Sequence, residues 1–302
     1  MDAGGSAQPS GSAQPSGRRR RPPPGRISPQ ALADARGGAL EGLQWLGRTP
    51  EARASTFYRL VRVFARAVIF GLLRFRITTS GQEHLPTGGY FIVGAAHRGW
   101  MDPFLVVHAL PTEPRVWFLG SGPSTFTSRW REWLVHRLGG LLPVWRGGIG
   151  IEQHVASARA VTGNGAVFAQ MPEGTVSGPA GRIGPFRVGW ALIALRIGAP
   201  IVPLAMAGTE ELYIGKRMAS RILPSTSVAE LLGAGWDGAL PVEGSREELD
   251  LARRLTDALA ERLGPVVEEL HPGTVDPPSH PRRLRRRLTW LLLRAGRLDR
   301  DG

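Results

Sequence analysis

The sequence predicts an α/β domain in which a mixed, substantially parallel sheet is flanked by helices. Three observations carry this. The short runs GYFIVGA (89–95), AVFAQM (166–171) and PIVPLAM (200–206) are apolar at nearly every position, as strands covered on both faces must be. Helical stretches at 152–162 and 187–197 alternate with them. The first two runs also end in polar loops, HRGWMD and PEGT, and such sheets gather ligands at the carboxyl ends of their strands.

Each segment follows in order. Residues 1–30 hold a tandem SAQPSG and then RRRRPPPGR; proline, like charge and low complexity leave nothing to bury, so a disordered basic segment is expected. Residues 31–80 are expected to hold a helical element, whose clearest part runs from Thr56 to Arg76. There Arg59, Arg62 and Arg66 make one basic stripe that gives way to the apolar run 67–73. Seven residues fall far short of the roughly 20 that a spanning helix needs. The stretch can lie in a membrane interface with its arginines at the headgroups, or pack on the sheet as a core helix. The domain proper is expected over 81–270, closed by a helix at 246–263 with Leu251, Leu255, Leu259 and Leu263 along one face. HPGTVDPPSHP (271–281) reads as a linker. Within 271–302 the tail RRLRRRLTWLLLRAGRL places Leu284, Leu288, Leu291, Leu292 and Ala295 on one side and most arginines opposite, a basic amphipathic helix suited to an anionic membrane surface.

Charge and composition narrow the function classes. Of the net charge of +13, +4 lies in residues 1–30 and +6 in 282–302, so the body carries only +3. A nucleic-acid partner is not expected, because the middle of the chain lacks a recognition helix, an RNP pattern or zinc-ligand spacing. The 302 residues contain no cysteine, which removes disulfides, thiolate metal sites and a cysteine nucleophile. No metal or bound cofactor is expected. No G-x-S-x-G appears, and GGIG (147–150) is too short for a dinucleotide fingerprint. The N-terminus lacks the apolar core of a secretory signal, so a cytoplasmic location is expected.

The chemistry then rests on a few side chains. His97 and Asp102 are separated by four residues just past the first apolar run. Asp102 precedes Pro103 and FLVVHAL, so it also fits a helix N-cap with proline at N1, and His97 then becomes a plain loop residue. The same spacing recurs at His271 and Asp276, where no strand positions the pair. What sets His97 apart is its company: PEGT (172–175) closes a second strand, and Arg146 follows a third apolar run in GGLLPVWRGG. A neutral histidine to accept a proton, an aspartate to fix its tautomer and an arginine among glycine-exposed amides suit acyl transfer to a hydroxyl of an anionic acceptor.

Four blocks in order, HRGWMD (97–102), LLPVWRG (141–147), PEGTVSG (172–178) with GRIGPFRVG (181–189), and APIVPLA (199–205), resemble the glycerolipid acyltransferases of the 1-acylglycerol-3-phosphate (lysophosphatidic acid) type over roughly residues 55–265. The resemblance implies transfer of a fatty acyl group from an acyl thioester, acyl-CoA or acyl carrier protein, to the hydroxyl of a lysophospholipid, most simply giving phosphatidic acid. It implies His97 as general base with Asp102 as its partner, and Arg146, Glu173, Gly174 and Thr175 for the phosphate-bearing acceptor. It also implies that the helical element over 31–80 is a membrane-interface element, seating the protein peripherally or monotopically on the cytoplasmic face of the cell membrane. Backbone N–H groups near Gly99 or Gly174 are the candidates for an oxyanion site. Three departures stand out: Ala96 and Gly99 where the family often carries Asn and Ser around the histidine, and Val176 where PEGT is commonly followed by Arg. Arg146, Arg182 or Lys216 are the cations available to compensate. Two other readings stay open, an acyltransferase for a different lipid acceptor and an inactive membrane-binding adaptor of the same fold.

Overall fold

The structure, a computed structural model, describes residues 48–121, 133, 137–138, 140–144, 150–176 and 178–276; both predicted tails, residues 31–47 and Arg146 lie outside these. Helix α1 (Thr56–Ala65) continues as a π-helical turn over Arg66–Leu72. Strand β1 (Arg76–Ser80) and strand β2 (Phe91–Ala95) follow, then α2 (Asp102–Ala109), β3 (Val116–Ser121), β4 (Leu141–Val144), α3 (Ile151–Gly163) and β5 (Val167–Gln170). The remainder is α4 (Gly189–Ile197), β6 (Ile201–Ala207), β7 (Arg217–Ile222), the short α5 (Val228–Leu232) and the long α6 (Arg246–Leu270).

The strands form one seven-stranded sheet in the order β1-β7-β6-β2-β5-β3-β4. Every neighbouring pair is parallel except β6 with β7. The fold class read from the sequence is therefore the one observed. Central β2 is hydrogen-bonded on both sides, with Phe91 in register with Ile201 of β6 and with Phe168 of β5. Its side chains alternate between two cores, as the pleat of a strand requires. Phe91, Val93 and Ala95 pack with Val155 and Ala158 of α3, Trp190 and Ile193 of α4, and Leu255 and Leu259 of α6. Tyr90 and Ile92 point the other way and pack with Leu105, Val106 and Ala109 of α2. Helices thus cover both faces, and β2, β5 and β6, being mutually parallel, deliver their carboxyl ends to one edge.

Several expectations change in the structure. The helical stretch expected to reach Arg76 ends at Leu72; Arg74 takes a left-handed conformation (φ 52°), and RITTS, rich in β-branched residues, pairs with β7 as an edge strand. The expected arginine stripe does not stay in solvent as a unit. Arg62 is buried and donates from Nη1 to Pro111 O (3.0 Å) and from Nη2 to Leu110 O, at the carboxyl end of α2, where the helix dipole favours a cation. Arg59 donates to Glu113 Oε1 (2.6 Å). The helix therefore docks through its basic side and turns apolar residues outward: Leu60, Val63 and Phe64 are 64%, 67% and 67% exposed, and Leu72 beyond them 74%.

Helix α6 passes its expected end at 263 and runs through Pro265 to Leu270. Val267, one step further along the row of Leu251, Leu255, Leu259 and Leu263, is buried with them and carries the helix past the proline. The start of the expected linker is part of the domain. His271–Thr274 form a 3₁₀ turn, Thr274 and Asp276 are buried, the Tyr213 hydroxyl donates to Asp276 Oδ2, and Lys216 Nζ donates to Thr274 O at 3.1 Å. His271 and Asp276 thus take separate partners and do not act as a second His–Asp pair; His271 Nδ1 lies 3.2 Å from Glu210 Oε1. No helix among the described residues is long and apolar enough to cross a membrane.

Candidate active site

His97 sits just past the carboxyl end of β2. Its Nδ1 lies 2.6 Å from Asp102 Oδ2, the imidazole is 19% exposed and the carboxylate is fully buried. The same Oδ2 accepts the amides of Arg98 (2.6 Å) and Gly99 (2.8 Å). Asp102 is therefore not the helix cap that the sequence also allowed. The N-cap position of α2 falls to Met101, which makes no side-chain capping bond, and Pro103 in the first turn gives up no needed N–H. Asp102 instead closes the loop that precedes it, drawing three donors from residues 97–99 onto one oxygen. A carboxylate on Nδ1 fixes the tautomer whose Nε2 carries the lone pair. No described residue bonds that Nε2, so its lone pair is free to accept a proton.

The second strand end adds a clamp from below. Glu173 follows β5 and is 1% exposed. Its Oε2 accepts the main-chain amide of His97 (2.6 Å) and its Oε1 that of Gly184 (2.9 Å). Both oxygens thus bind backbone, so Glu173 acts as a positioning residue that holds the histidine loop to the loop 172–184. A carboxylate turned inward in this way does not present itself to a phosphate, which carries charge of the same sign.

Burial is the largest influence on Glu173 and raises its carboxyl above the ordinary range, while the amides of Gly184 and His97 and the charge of Arg98 act in the opposite sense. A raised value means that the folded protein holds this proton more tightly than the unfolded chain. The stability linked to it is complete below the unfolded value and is lost as pH rises through the folded one. Wild type is accordingly expected to gain stability relative to Glu173→Gln as pH falls from neutral, measured as the difference in Tm at each pH. A difference that moves the other way would mean that the amide contacts outweigh burial.

Gly174 and Thr175 lie on the same loop. Gly174 adopts a left-handed conformation (φ +67°), and a Cβ there would come within 2.9 Å of Arg187 Cδ, so the exposed Arg187 side chain crosses the glycine. Thr175 is half-buried. The amides proposed for an oxyanion are already committed: Gly99 N donates to Asp102 and Gly174 N to Met171 O at 3.1 Å. Of the cations named as compensating for Val176, Arg146 lies outside the described residues. Arg182 is 72% exposed and reaches Glu268 at 3.7 Å, and Lys216 is bound to Thr274 O. Neither of these two is aimed at His97.

The structure brings together one group that the sequence reading passed over. Arg98, inside HRGWMD itself, lies between the histidine loop and the loop after β5, where Glu173 feels its charge. Its position between the two predicted residues was the available signal. The carboxyl end of β6 closes the third side, with Thr209 O 3.8 Å from where a Cβ on Gly99 would sit. Among the described residues no group of three His, Cys, Asp or Glu is placed to hold a metal ion.

Comparison with known proteins bears on the segment and the fold that carry this site. Residues 76–207, from β1 to the end of β6, match the sequence profile of the Acyltransferase family. Among solved structures, the 1-acyl-sn-glycerophosphate (LPA) acyltransferase PlsC from Thermotoga maritima is similar, with 23% sequence identity, a TM-score of 0.52, and coverage of 70% of this chain and 79% of that one. At that identity the likeness is one of fold. No curated protein matches the chain in sequence. The family segment spans the first strand to the sixth and carries the four ordered blocks, so in residues 76–207 the chain is similar in sequence to the Acyltransferase family.

Proposed function

We propose that this protein is an acyltransferase that moves a fatty acyl group from an acyl thioester to the hydroxyl of a lysophospholipid, with 1-acylglycerol-3-phosphate as the first candidate acceptor and phosphatidic acid as the product. The observation that carries the reading is the His97–Asp102 pair: an imidazole locked through Nδ1 on a fully buried carboxylate, with Nε2 left open. A thioester is activated already, so no enzyme nucleophile is required. The acceptor oxygen attacks the thioester carbonyl, the O–C bond forms as the C–S bond breaks, and the hydroxyl proton passes to His97 Nε2 and on to the leaving thiolate. Asp102 holds Nδ1–H and stabilises the imidazolium during that transfer. Acyl-CoA and acyl carrier protein are the two donor classes. Incubation of the full chain with each donor and a panel of acceptors tests the proposal by product mass. Phosphatidic acid as the main product supports the acceptor named here. Acylation of another lysolipid or alcohol favours the second acceptor reading, and no acyl product with any acceptor favours the adaptor.

The same proposal places the enzyme on an anionic membrane surface, peripheral and facing the cytoplasm. Support comes from α1, whose arginines bind the domain while Leu60, Val63 and Phe64 face outward without cover among the described residues. Such a face suits a bilayer surface, from which the lysophospholipid acceptor would be drawn. Replacing these three residues by serine is expected to weaken sedimentation with anionic vesicles at least tenfold, taking roughly 1.5–3 kcal/mol for each side chain fully withdrawn from water and about half of that in an interface. Tm is expected to stay near wild type, because the three side chains are already exposed. Unchanged vesicle binding in the triple variant contradicts the placement.

A further inference from the structure

The main chain of Arg98 is fixed by the bond from its amide to Asp102, yet its side chain is poorly satisfied. Among the described residues Nη1 donates only to the carbonyl of His97, at 3.4 Å. Nε and Nη2 are withdrawn from solvent and find no acceptor among the described residues. The guanidinium lies against Gly178, where a Cβ would stand 3.1 Å from Nη1 and 3.2 Å from Nη2. That glycine, itself in a left-handed conformation (φ +80°), carries no Cβ and so lets the fork lie this close to the loop. Burying unpaired guanidinium donors is unfavourable, and an apolar residue would fill the same volume at less cost. The arrangement makes physical sense if an anion completes it.

We propose that Arg98 binds the phosphate of a substrate at the His97 site, so that the cation sits within HRGWMD and not after PEGT, where this chain carries Val176. The inference rests on reading the substrates as phosphate-bearing. Arg187, the other nearby cation, is exposed over Gly174 and stays hydrated whether or not an anion is present. Nε and Nη2 of the half-buried Arg98 have given up that water already, which makes a phosphate contact worth more there. Two substrates carry the required chemistry: the phosphate monoester of an acylglycerol phosphate, and the phosphates of a coenzyme A donor.

The test compares full-length wild type, Arg98→Met and Arg98→Lys by the rise in Tm that ligands cause, which needs no turnover. The acceptor arm uses 1-acylglycerol-3-phosphate against 1-acylglycerol of the same chain; the donor arm uses coenzyme A against pantetheine. In wild type the phosphate-bearing member of at least one pair is expected to stabilise more than its neutral counterpart. Arg98→Met is expected to weaken binding of that ligand about 10- to 100-fold, the range for loss of one charged hydrogen-bonded contact, and to leave the neutral one unaffected. Arg98→Lys, which keeps the charge without the fork, falls between them. The arm that responds identifies the phosphate. Ligand-free Tm of Arg98→Met is expected to equal or exceed that of wild type, because an unpaired cation has been removed. The proposal is overturned if neither arm discriminates in wild type, or if the phosphate preference survives in Arg98→Met. It is also overturned if both variants lose ligand-free stability, which marks a structural arginine. Loss of phosphate binding in a protein that acylates no acceptor would keep the anion site and remove the proposed function.

Discussion

His97→Ala is expected to lose about 10²- to 10⁴-fold in turnover, the contribution of a positioned general base. The structure explains why this loss should be specific to chemistry. The loop is held through the His97 main-chain amide by Glu173, and through the amides of Arg98 and Gly99 by Asp102. None of these bonds involves the imidazole. The ring is also 19% exposed, so its removal opens no large cavity in either core. Tm and substrate-induced stabilisation should therefore remain close to wild type while turnover collapses. Turnover within a few-fold of wild type in a folded His97→Ala protein contradicts the assignment of the base.

Asp102→Asn is expected to cost on the order of 10²- to 10³-fold in turnover. All three side-chain hydrogen bonds at this residue fall on Oδ2, and Oδ1 is buried without a partner among the described residues. An asparagine can place its oxygen where Oδ2 stands and keep the three bonds, including the one that fixes the imidazole tautomer. What it loses is the negative charge that stabilises the imidazolium. A charge pair about 4 Å apart at an effective dielectric of about 20 is worth about 4 kcal/mol, which bounds the effect near 10³. Stability should change little in Asp102→Asn. Asp102→Ala differs, because it strands the amides of Arg98 and Gly99, and each unsatisfied buried donor costs about 1–3 kcal/mol. Turnover and Tm measured together on both variants separate the electrostatic role from the structural one. Full activity in Asp102→Asn would show that the charge contributes nothing.

The parts of this protein that could be read from its sequence are those whose environment is written locally. Strands β2, β5 and β6 are covered on both faces, so each appears as an unbroken apolar run. Their loops could then be placed at one edge before any coordinates, and with them His97, Asp102 and the PEGT segment. The edge strand β1 and its neighbour β7 were not legible, because RITTS alternates exposed and half-buried positions and RMASRI carries charge at both ends. Burial of Arg62 depends on the carbonyls of Leu110 and Pro111, far along the chain, so a stripe that looks solvated in sequence proves to be the docking side of α1. Glu173 shows the same limit. Next to a glycine and a threonine at a strand end it resembles a ligand-binding residue, and only the fold reveals that its two oxygens bind the amides of His97 and Gly184. Asp102 was legible as a partner of His97, but its hold on two further amides was not, since an aspartate before a proline reads equally well as a helix cap.

The central claim is that one imidazole directs an acceptor hydroxyl onto an activated acyl chain with no acyl-enzyme stage. Release of free thiol from an acyl thioester, followed with and without a lysophospholipid acceptor at enzyme concentrations high enough to detect a single turnover, tests it most directly. The account predicts that thiol appears only when acceptor is present, in step with one new ester per thiol. A burst of thiol equal to the enzyme in the absence of acceptor, or steady release of free fatty acid that the acceptor does not alter, would contradict it.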